Sequence, residues 1–206
     1  MPDASLPRVG ILISGRGSNM VALVRAMQDG SVPADAAIVI SNVPGALGLA
    51  TAEREGIPTA VVDHTKVKPR EAHERAVVEL LKEHRVDIVC LAGYMRRLSP
   101  FMVKSFPGRI LNVHPALLPA FPGLDVQQAA LEYGVKVAGC TVHLVDDEVD
   151  HGPIVLQAAV PVLDDDTVET LSARILEREH AIYPEALGLL ASGRVKLEGR
   201  KVRLTR

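Results

Sequence analysis

The first half of the chain alternates short, continuously apolar runs with segments of helical periodicity. The runs RVGILIS, AAIVIS, TAVVD and DIVCLAG each precede such a segment, and Gly30 closes the first helix. Strands that are apolar throughout are buried on both faces, which is typical of a parallel sheet covered by helices. The pattern therefore predicts an α/β fold with a doubly wound, Rossmann-like, mostly parallel sheet.

The order of elements changes in the C-terminal half. VAGCTVHLV and PIVLQAAVPV are predicted strands separated by an acidic loop, so we expect them to pair antiparallel and to make the sheet mixed. The last helix is predicted to begin after Asp166 as its N-cap, with Glu169 three residues later, and to kink or end at Pro184. The basic tail GRVKLEGRKVRLTR is interpreted as a solvated edge strand, or else as a functional patch.

Composition limits the class of protein. The 206 residues suit one domain, and a net charge of −2 provides no large basic surface for nucleic acid. No run approaches 18 uninterrupted apolar residues and the N-terminus lacks the pattern of a secretory signal, so neither a membrane span nor export is predicted. Cys90 and Cys140 lie within apolar runs, where reduced thiols favour a cytoplasmic protein.

Two polar side chains interrupt the apolar segment ILNVHPALLPAFPG. Because side chains alternate along a strand, Asn112 and His114 share a face with Ile110, and Pro115 ends the strand at the edge where open α/β sheets bind ligands. An amide can donate to a developing oxyanion and an imidazole can shuttle a proton, so the pair suits transfer through a tetrahedral centre. Alternatively, each side chain has only a structural role.

The acidic loop VDDEVDHGP offers a third group for this chemistry. Asp150, its last acid, is the candidate, although a run of acids is otherwise typical of a solvated turn. No covalent nucleophile stands out and there is no GxSxG motif, so we expect the acceptor to attack directly. A zinc site of His114, His143 and His151 would have an unusual spacing, and no metal is predicted.

The first loop, SGRGSN, follows a strand and begins a helix. Backbone N–H groups at a helix N-terminus bind phosphate, and Gly15 and Gly17 leave them accessible. Met20 replaces the third glycine of a dinucleotide fingerprint, and the second strand ends in SNVPG without an acid, so a phosphorylated substrate fits better than NAD. A tight turn without a ligand is the alternative.

Glu179 interrupts the apolar stripe of the last helix. It lies four residues after Ile175 and three before Ile182, so a carboxylate falls on the core face. Because an unpaired buried carboxylate is costly, Glu179 is either paired internally or reaches a ligand hydroxyl. The sequence does not separate these two alternatives.

Four segments resemble the formyl transferase family, and within it the folate-dependent phosphoribosylglycinamide formyltransferases. They are ISGRGSN, ILNVHPALLPAFPG, VDDEVDHGPIVLQ and REHAIYP, in family order over nearly the whole chain. The resemblance implies transfer of a formyl group from 10-formyltetrahydrofolate, a co-substrate, to the amino group of 5′-phosphoribosylglycinamide in de novo purine biosynthesis. It also implies one formyltransferase domain over 1–206, with a phosphate-binding N-terminal half and a folate-binding, catalytic C-terminal half.

The resemblance further implies a role for each site residue. Asn112 would hold the formyl oxygen as it becomes an oxyanion, and His114 would stabilise that charge and assist proton transfer. Asp150 would pair with His114 and move the proton through water from the amine toward the folate nitrogen, while Glu179 would bind the ribose hydroxyls. The phosphate would bind the first loop, at Gly15, Arg16, Gly17, Ser18 and Asn19. The folate would bind two segments, at Tyr94, Met95, Arg96, Arg97, Leu98, Val145, Asp146 and Asp150.

This sequence departs from the family pattern at Arg97, where an apolar residue is usual. Within the group, methionyl-tRNA formyltransferase carries an additional C-terminal domain and formyltetrahydrofolate deformylase an additional N-terminal one, so the length favours the ribonucleotide acceptor. Deformylase is the enzymatic alternative, and a non-catalytic nucleotide-binding module using the GRGSN loop is the other. The expected partners are the two small-molecule substrates; a homodimer stays open.

Overall fold

A seven-stranded sheet with helices on both faces forms the centre of the computed structural model, which describes residues 5–205. In chain order the elements are β1 (Arg8–Ile13), α1 (Ser18–Gln28), β2 (Asp35–Ser41), α2 (Leu47–Arg54), β3 (Thr59–Val61), α3 (Arg70–Glu83), β4 (Ile88–Leu91), α4 (Pro100–Ser105), β5 (Ile110–His114), α5 (Val126–Tyr133), β6 (Val137–Leu144), β7 (Ile154–Pro161), α6 (Val168–Ala191), β8 (Val195–Glu198) and β9 (Lys201–Leu204).

The sheet has the strand order β3-β2-β1-β4-β5-β6-β7. Every neighbouring pair from β3 to β5 is parallel, whereas β5 with β6 and β6 with β7 are antiparallel. The predicted doubly wound sheet that becomes mixed in the C-terminal half is therefore confirmed. Within the described part of the chain, none of the helices is long and apolar enough to cross a membrane.

Each face of the sheet has its own apolar core. The alternation along β1 sends Ile11 and Ile13 to the core shared with α1, α2 and α6, and Leu12 to the core shared with α3 and α4. The helix α3 packs so closely against β1 that a Cβ at Gly10 would lie 2.4 Å from a methyl group of Leu81. Burial on both faces explains why the central positions of these strands are almost all apolar.

Tyr183 joins α6 to the middle of the sheet. Its ring is fully buried, and its hydroxyl lies 3.0 Å from the carbonyl oxygen of Leu91 and 3.1 Å from that of Leu111. These carbonyls belong to the neighbouring strands β4 and β5, so one phenol bridges two strands. Burial raises the pKa of Tyr183 well above its usual value, so the hydroxyl keeps the proton that it donates.

The predicted N-cap of the last helix is wrong by one residue. Thr167 caps α6 in a reciprocal pair with Thr170: the Thr167 hydroxyl accepts from the Thr170 N–H at 3.3 Å, and the Thr170 hydroxyl accepts from the Thr167 N–H at 2.9 Å. Asp166 instead accepts two hydrogen bonds from Arg174, at 2.7 and 2.8 Å, which hold the pKa of its carboxyl well below the usual range. Arg174, about two turns into the helix, thus engages Asp166, and Thr167 is the cap.

Two further predictions about the C-terminal region are corrected. Of the two predicted effects of Pro184, a kink or an end, the end does not occur, because α6 continues to Ala191. Ala186, Leu187 and Leu190 extend its buried stripe, and their packing outweighs one lost backbone hydrogen bond. The tail is not an edge strand of the main sheet. It is a separate hairpin of β8 and β9, closed by a two-residue turn with Gly199 at φ +60°.

We predict that Tyr183→Phe lowers the free energy of unfolding by about 1–2 kcal/mol, because two buried strand carbonyls lose their donor while the ring still fills its space. Urea denaturation followed by circular dichroism measures this change. Tyr133→Phe is the matched control, since the Tyr133 side chain is 80% exposed and its substitution should leave stability unchanged. Equal stability of the two variants would contradict the bridging role of Tyr183.

Candidate active site

Polar side chains from three segments converge at the end of β5. The pairing of β5 with β6 places His143 opposite Asn112 and Thr141 opposite His114. The acidic turn between β6 and β7 adds Asp150, whose Oδ2 lies 3.4 Å from Nδ1 of His114. The structure thus brings Asn112, His114 and Asp150 together, although more than thirty residues separate the first two from the third.

His143 orients the amide of Asn112. Nδ1 of His143 lies 2.9 Å from the carbonyl oxygen of Leu144, so the ring carries its proton there and Nε2 is an acceptor. The Nδ2 group of Asn112 donates to that Nε2 at 3.1 Å. Burial lowers the pKa of His143, which keeps the ring neutral, so its 3.8 Å approach to Asp150 is not an ion pair. No acceptor within residues 5–205 takes the second N–H of Asn112, which can therefore donate to an oxyanion.

The His114 ring is held at both nitrogens. Nε2 donates to the carbonyl oxygen of Phe121 at 2.8 Å, and Nδ1 faces Asp150. Asp150 is itself fixed, because its Oδ2 accepts from the N–H of Gly123 at 2.9 Å. In this arrangement a proton on Nδ1 would lie between the ring and a carboxylate oxygen 3.4 Å away. The pair can therefore hold a proton beside the Asn112 amide.

The turn that carries Asp150 depends on a glycine. Asp150 has a φ of +50°, which places it in the left-handed region that few side chains adopt. Two residues later, a Cβ on Gly152 would lie 1.7 Å from the carbonyl oxygen of Leu144, so only glycine lets the turn pack against β6. Pro153 then accepts from the N–H of Leu144 at 2.9 Å and begins the return along β7.

Thr141 is a site residue that the sequence reasoning missed. Its buried hydroxyl donates to the carbonyl oxygen of Ala116 at 2.7 Å and accepts from the N–H of Leu118 at 3.0 Å and from Gln157 at 2.9 Å. These bonds fix the loop that follows His114. Strand alternation places Thr141 and His143 on one face of β6, so the signal was present, but the partner strand was not assigned.

The first loop leads through a glycine turn directly into the N-terminus of α1. The helix α1 begins at Ser18, after Gly17 with a φ of +73°. A Cβ on Gly17 would lie 3.2 Å from the backbone of Gly48, whose N–H donates to the carbonyl oxygen of Gly15 at 3.0 Å. Gly15, Arg16 and Ser18 are exposed. The N-terminus of α1 is thus accessible to an anion.

Asn19 and Glu179 connect this loop to α6. Both side chains are buried, and Nδ2 of Asn19 donates to Oε2 of Glu179 at 2.7 Å. Burial raises the pKa of Glu179, partly offset by this hydrogen bond. Within the described residues the buried Oδ1 of Asn19 has no partner. Glu179 is therefore paired internally through its Oε2, and the pair adjoins the first loop.

The two predicted folate segments follow β4 and β6, the strands on either side of β5. The first is fixed by Ser14, whose hydroxyl accepts from the N–H of Met95 at 2.8 Å and donates to Asn42 at 2.6 Å. In the second, Val145 donates its N–H to the carbonyl oxygen of Ile110 at 2.9 Å. Tyr94 is buried and Leu98 is half-buried. Arg96 is half-buried, and Met95 and Arg97 are exposed. The polar residue at position 97 is accommodated because its side chain lies at the surface.

A basic cavity adjoins the first of these segments. It has a volume of about 470 Å³ and is lined by His64, Thr65, Val67, Lys68, Pro69, Arg70 and Arg96. Of these residues only Arg96 was predicted to bind a ligand. The segment KPR before α3 was the available signal, but a short basic run by itself usually lies on a solvated surface.

His151 does not join the other histidines in a metal site. Its Nδ1 bonds Oδ2 of Asp146 at 2.8 Å, and it turns toward the C-terminal hairpin. Between residues 5 and 205 no group of three or more His, Cys, Asp and Glu side chains could hold a metal ion.

An amide and an imidazole at the end of β5, a carboxylate from the turn after β6, and an exposed helix N-terminus at the end of β1 are the features of a group-transfer enzyme. The family model described as formyl transferase matches residues 7–187. The chain belongs to the formyl transferase family.

This chain is similar to named formyltransferases and to a deformylase over most of its length. A crystal structure of glycinamide ribonucleotide transformylase 1 from Symbiobacterium toebii is 52% identical, with a TM-score of 0.97 over 99% of this chain and 96% of that one. Phosphoribosylglycinamide formyltransferase of Escherichia coli K12 is 42% identical over 91% of this chain and 88% of its own length. A formyltetrahydrofolate deformylase structure from Pseudomonas syringae is 28% identical, with a TM-score of 0.90 over 98% of this chain and 67% of that one.

Some relatives are much longer. The trifunctional purine biosynthetic protein adenosine-3 of Drosophila melanogaster is 50% identical over 188 residues. These residues are 90% of this chain but 14% of that protein. The chain therefore corresponds to one part of such a protein.

We predict that Gly152→Ala lowers the free energy of unfolding by about 3 kcal/mol, because the added methyl group overlaps a backbone carbonyl and the acidic turn must move. Chemical denaturation measures the change, and hydrogen exchange of residues 145–152 locates it. Gly188→Ala is the control, since a Cβ there would make only an ordinary 3.7 Å contact. If both glycine variants unfold at the same denaturant concentration, the close packing of Gly152 is not required.

Proposed function

We propose that this protein transfers the formyl group of 10-formyltetrahydrofolate to the amino group of 5′-phosphoribosylglycinamide, the reaction of its relatives in de novo purine biosynthesis. The observation that carries the proposal is the convergence of Asn112, His114 and Asp150 at the end of β5. Family membership and the identity to phosphoribosylglycinamide formyltransferases support the same reaction.

The chemistry is direct displacement at the formyl carbon. The amine attacks this carbon, a C–N bond forms, and the formyl oxygen becomes an oxyanion. The Asn112 amide, oriented by His143, donates to that oxygen. Collapse of the tetrahedral intermediate then breaks the bond to the folate nitrogen. The products are the formylated ribonucleotide and tetrahydrofolate.

The proton of the attacking amine must reach the leaving folate nitrogen. His114 and Asp150 are suited to this task, because Nδ1 of His114 and Oδ2 of Asp150 lie 3.4 Å apart and can share one proton. His114, when charged, also stabilises the neighbouring oxyanion. A water held by Asp150 carries the proton between the two nitrogens, since direct transfer from the amine is geometrically unfavourable in a four-membered ring.

The acceptor binds between the first loop and α6. Its phosphate lies at the N-terminus of α1, where the backbone N–H groups from Gly15 to Asn19 favour an anion and Arg16 adds a positive charge. Its ribose hydroxyls bond Glu179, which Asn19 holds in place. Burial makes this carboxylate a strong acceptor for hydroxyl donors once the site is closed to water.

The donor binds between the segments at Tyr94–Leu98 and Val145–Asp150, which flank Asn112. Backbone groups of these segments match the polar edge of a pterin, and Met95 and Leu98 offer apolar contact. The basic cavity at Lys68, Arg70 and Arg96 suits the carboxylates of the folate glutamate. The folate is a dissociable co-substrate, and the chemistry requires no metal.

We further propose that residues 1–206 form a single formyltransferase domain, with phosphate binding in the N-terminal half and folate binding and catalysis in the C-terminal half. The expected setting is the cytoplasm, with two small-molecule substrates as partners. Analytical ultracentrifugation tests whether the protein is a homodimer or a monomer.

We predict that Asn112→Ala and Asp150→Asn each lower kcat by about 10²–10³ while the protein remains folded, because each removes a contact that strengthens in the transition state. Transfer from 10-formyltetrahydrofolate to 5′-phosphoribosylglycinamide is followed by product formation. Asp147→Asn, an exposed acid of the same turn, is the control with unchanged turnover. Wild-type turnover in both site variants, or formate release without the acceptor, would refute this function.

We predict that Glu179→Gln raises KM for 5′-phosphoribosylglycinamide about tenfold or more, as loss of a charged hydrogen-bond partner does. The substitution should also change how the free energy of unfolding depends on pH. Because burial raises the pKa of Glu179, the wild-type protein loses stability as pH rises from the unfolded pKa of Glu to the higher folded pKa, and the Gln variant does not. Denaturation at pH 4 and pH 7 should show the variant gaining relative stability at pH 7.

The matched control for this pair of measurements is Glu177→Gln, because Glu177 is exposed on the same helix. It should leave both KM and the pH dependence of unfolding at wild-type values. A Glu179→Gln variant with wild-type KM would remove the ribose role from Glu179.

A further inference from the structure

The C-terminal hairpin of β8 and β9 reaches back to the turn that carries Asp150. The hairpin lies beyond residues 7–187, the part of the chain that the family model matches. Its two-residue turn, Gly199 and Arg200, points at the acidic turn between β6 and β7. A basic tail that would otherwise be a solvated strand therefore has a specific contact at the candidate active site.

Arg200 makes this contact through its guanidinium. Nη1 donates to Nε2 of His151 at 2.9 Å, and Nη2 donates to the backbone carbonyl oxygen of the same residue. The His151 ring in turn forms a hydrogen bond with the acidic turn, from its Nδ1 to Oδ2 of Asp146 at 2.8 Å. Since the ring proton lies between Nδ1 and that carboxylate, Nε2 is free to accept from Arg200. One arginine thus fixes both a side chain and the backbone of the turn.

The position of this contact matters because His151 directly follows Asp150. The backbone of Asp150 is in the left-handed region, at φ +50°, which costs about 1 kcal/mol for a residue with a side chain. Such a conformation persists only where its surroundings hold it. Gly152 packs under the carbonyl of Leu144 on one side, and Gly123 bonds the Asp150 carboxylate on the other. The bond from Arg200 to the His151 carbonyl is the third restraint.

We propose that Arg200 is a positioning residue, which holds the acidic turn so that the Asp150 carboxylate stays within reach of Nδ1 of His114. Arg200 touches neither substrate nor reacting atoms in this proposal; it acts through the backbone of His151 and through the His151–Asp146 pair. The catalytic consequence rests on the proposed function, whereas the restraint on the turn does not.

The chain contains a matched comparison for Arg200. Arg203 lies on the same hairpin and is also exposed, but its guanidinium pairs with Glu198 within the hairpin at 2.6 Å. Among residues 5–205 it has no hydrogen bond or ion pair to the acidic turn. Exposed ion pairs of that kind contribute little to the free energy of unfolding. Substitution of Arg203 removes the same charge from the same hairpin and leaves the proposed tether in place.

The first experiment measures the turn without any substrate. Hydrogen exchange of residues 145–152 is compared in the wild-type protein, Arg200→Ala, Arg200→Lys and Arg203→Ala. We expect faster exchange of this turn in Arg200→Ala, by about fivefold or more, and wild-type exchange in Arg203→Ala. Arg200→Lys should be intermediate, because an ammonium group cannot donate to the ring and to the carbonyl with the planar geometry of a guanidinium.

The second experiment asks whether Arg200 acts through Asp150. Arg200→Ala should lower kcat about tenfold and leave the thermal midpoint of unfolding unchanged. This loss of kcat is smaller than the loss expected when a catalytic group is fully misplaced. In a background that already carries Asp150→Asn, the same substitution should have no further effect on kcat, because residues that act as a unit are not additive. A merely structural role would lower kcat by the same factor in both backgrounds.

The outcomes separate the two proposals. Wild-type exchange and wild-type kcat in Arg200→Ala would overturn the positioning role, and so would equal effects of Arg200→Ala and Arg203→Ala. If the wild-type protein transfers no formyl group, the proposed function fails, while the exchange measurement still decides whether Arg200 restrains the turn. Faster exchange in Arg200→Ala together with additive kcat effects would also overturn the proposal, because the turn would then not act through Asp150.

Discussion

The antiparallel pairing of β5 with β6 is the interaction on which the candidate site depends. It places His143 opposite Asn112 and Thr141 opposite His114, so each catalytic candidate faces a residue that fixes it or the loop beside it. A shift of this register by one residue would turn both partners toward the other face of the sheet. The amide of Asn112 would then lose the neutral imidazole that orients it, and the loop after His114 would lose the hydroxyl that anchors its carbonyl and N–H groups.

Neutral buried groups surround the charged ones in this site. Burial keeps His143 uncharged and raises the pKa of Glu179, so the protein retains polar side chains there at a cost in stability. The hydrogen bond from Asn19 offsets part of that cost at Glu179. Asp150, by contrast, is restrained by backbone contacts and by an exposed turn. Asn19 and Glu179 are thus buried beside exposed residues of the first loop, whereas the position of Asp150 depends in part on contacts made at the surface.

The sequence predicted most of the fold, because continuous apolar runs and helical periodicity are strong local signals. It also predicted the shared face of Asn112 and His114, which follows from strand alternation alone. The N-cap of α6 was misplaced because Arg174, eight residues away, competes for Asp166. Thr141, His143 and the hairpin contact were missed for a related reason: each acts through a partner distant in sequence, and periodicity within one segment carries no information about register between segments. The acidic-loop motif contains Gly152, but the requirement for glycine at this position depends on the nearby carbonyl oxygen of Leu144, which the sequence does not reveal.

The phenol of Tyr183 has a consequence for how acceptor specificity can change. Glu179 lies one helical turn before Tyr183, and the Tyr183 hydroxyl is bonded to the two strands that lead into the catalytic end of the sheet. In the proposed function, the residue that binds the ribose and the strand that carries Asn112 are therefore both held in place through Tyr183. A variant that accepts a differently shaped ribonucleotide cannot gain room by tilting α6 without disturbing Asn112 as well. Arg16 and Ser18 of the first loop are exposed, so under the proposed function substitutions there can alter the choice of acceptor without moving α6.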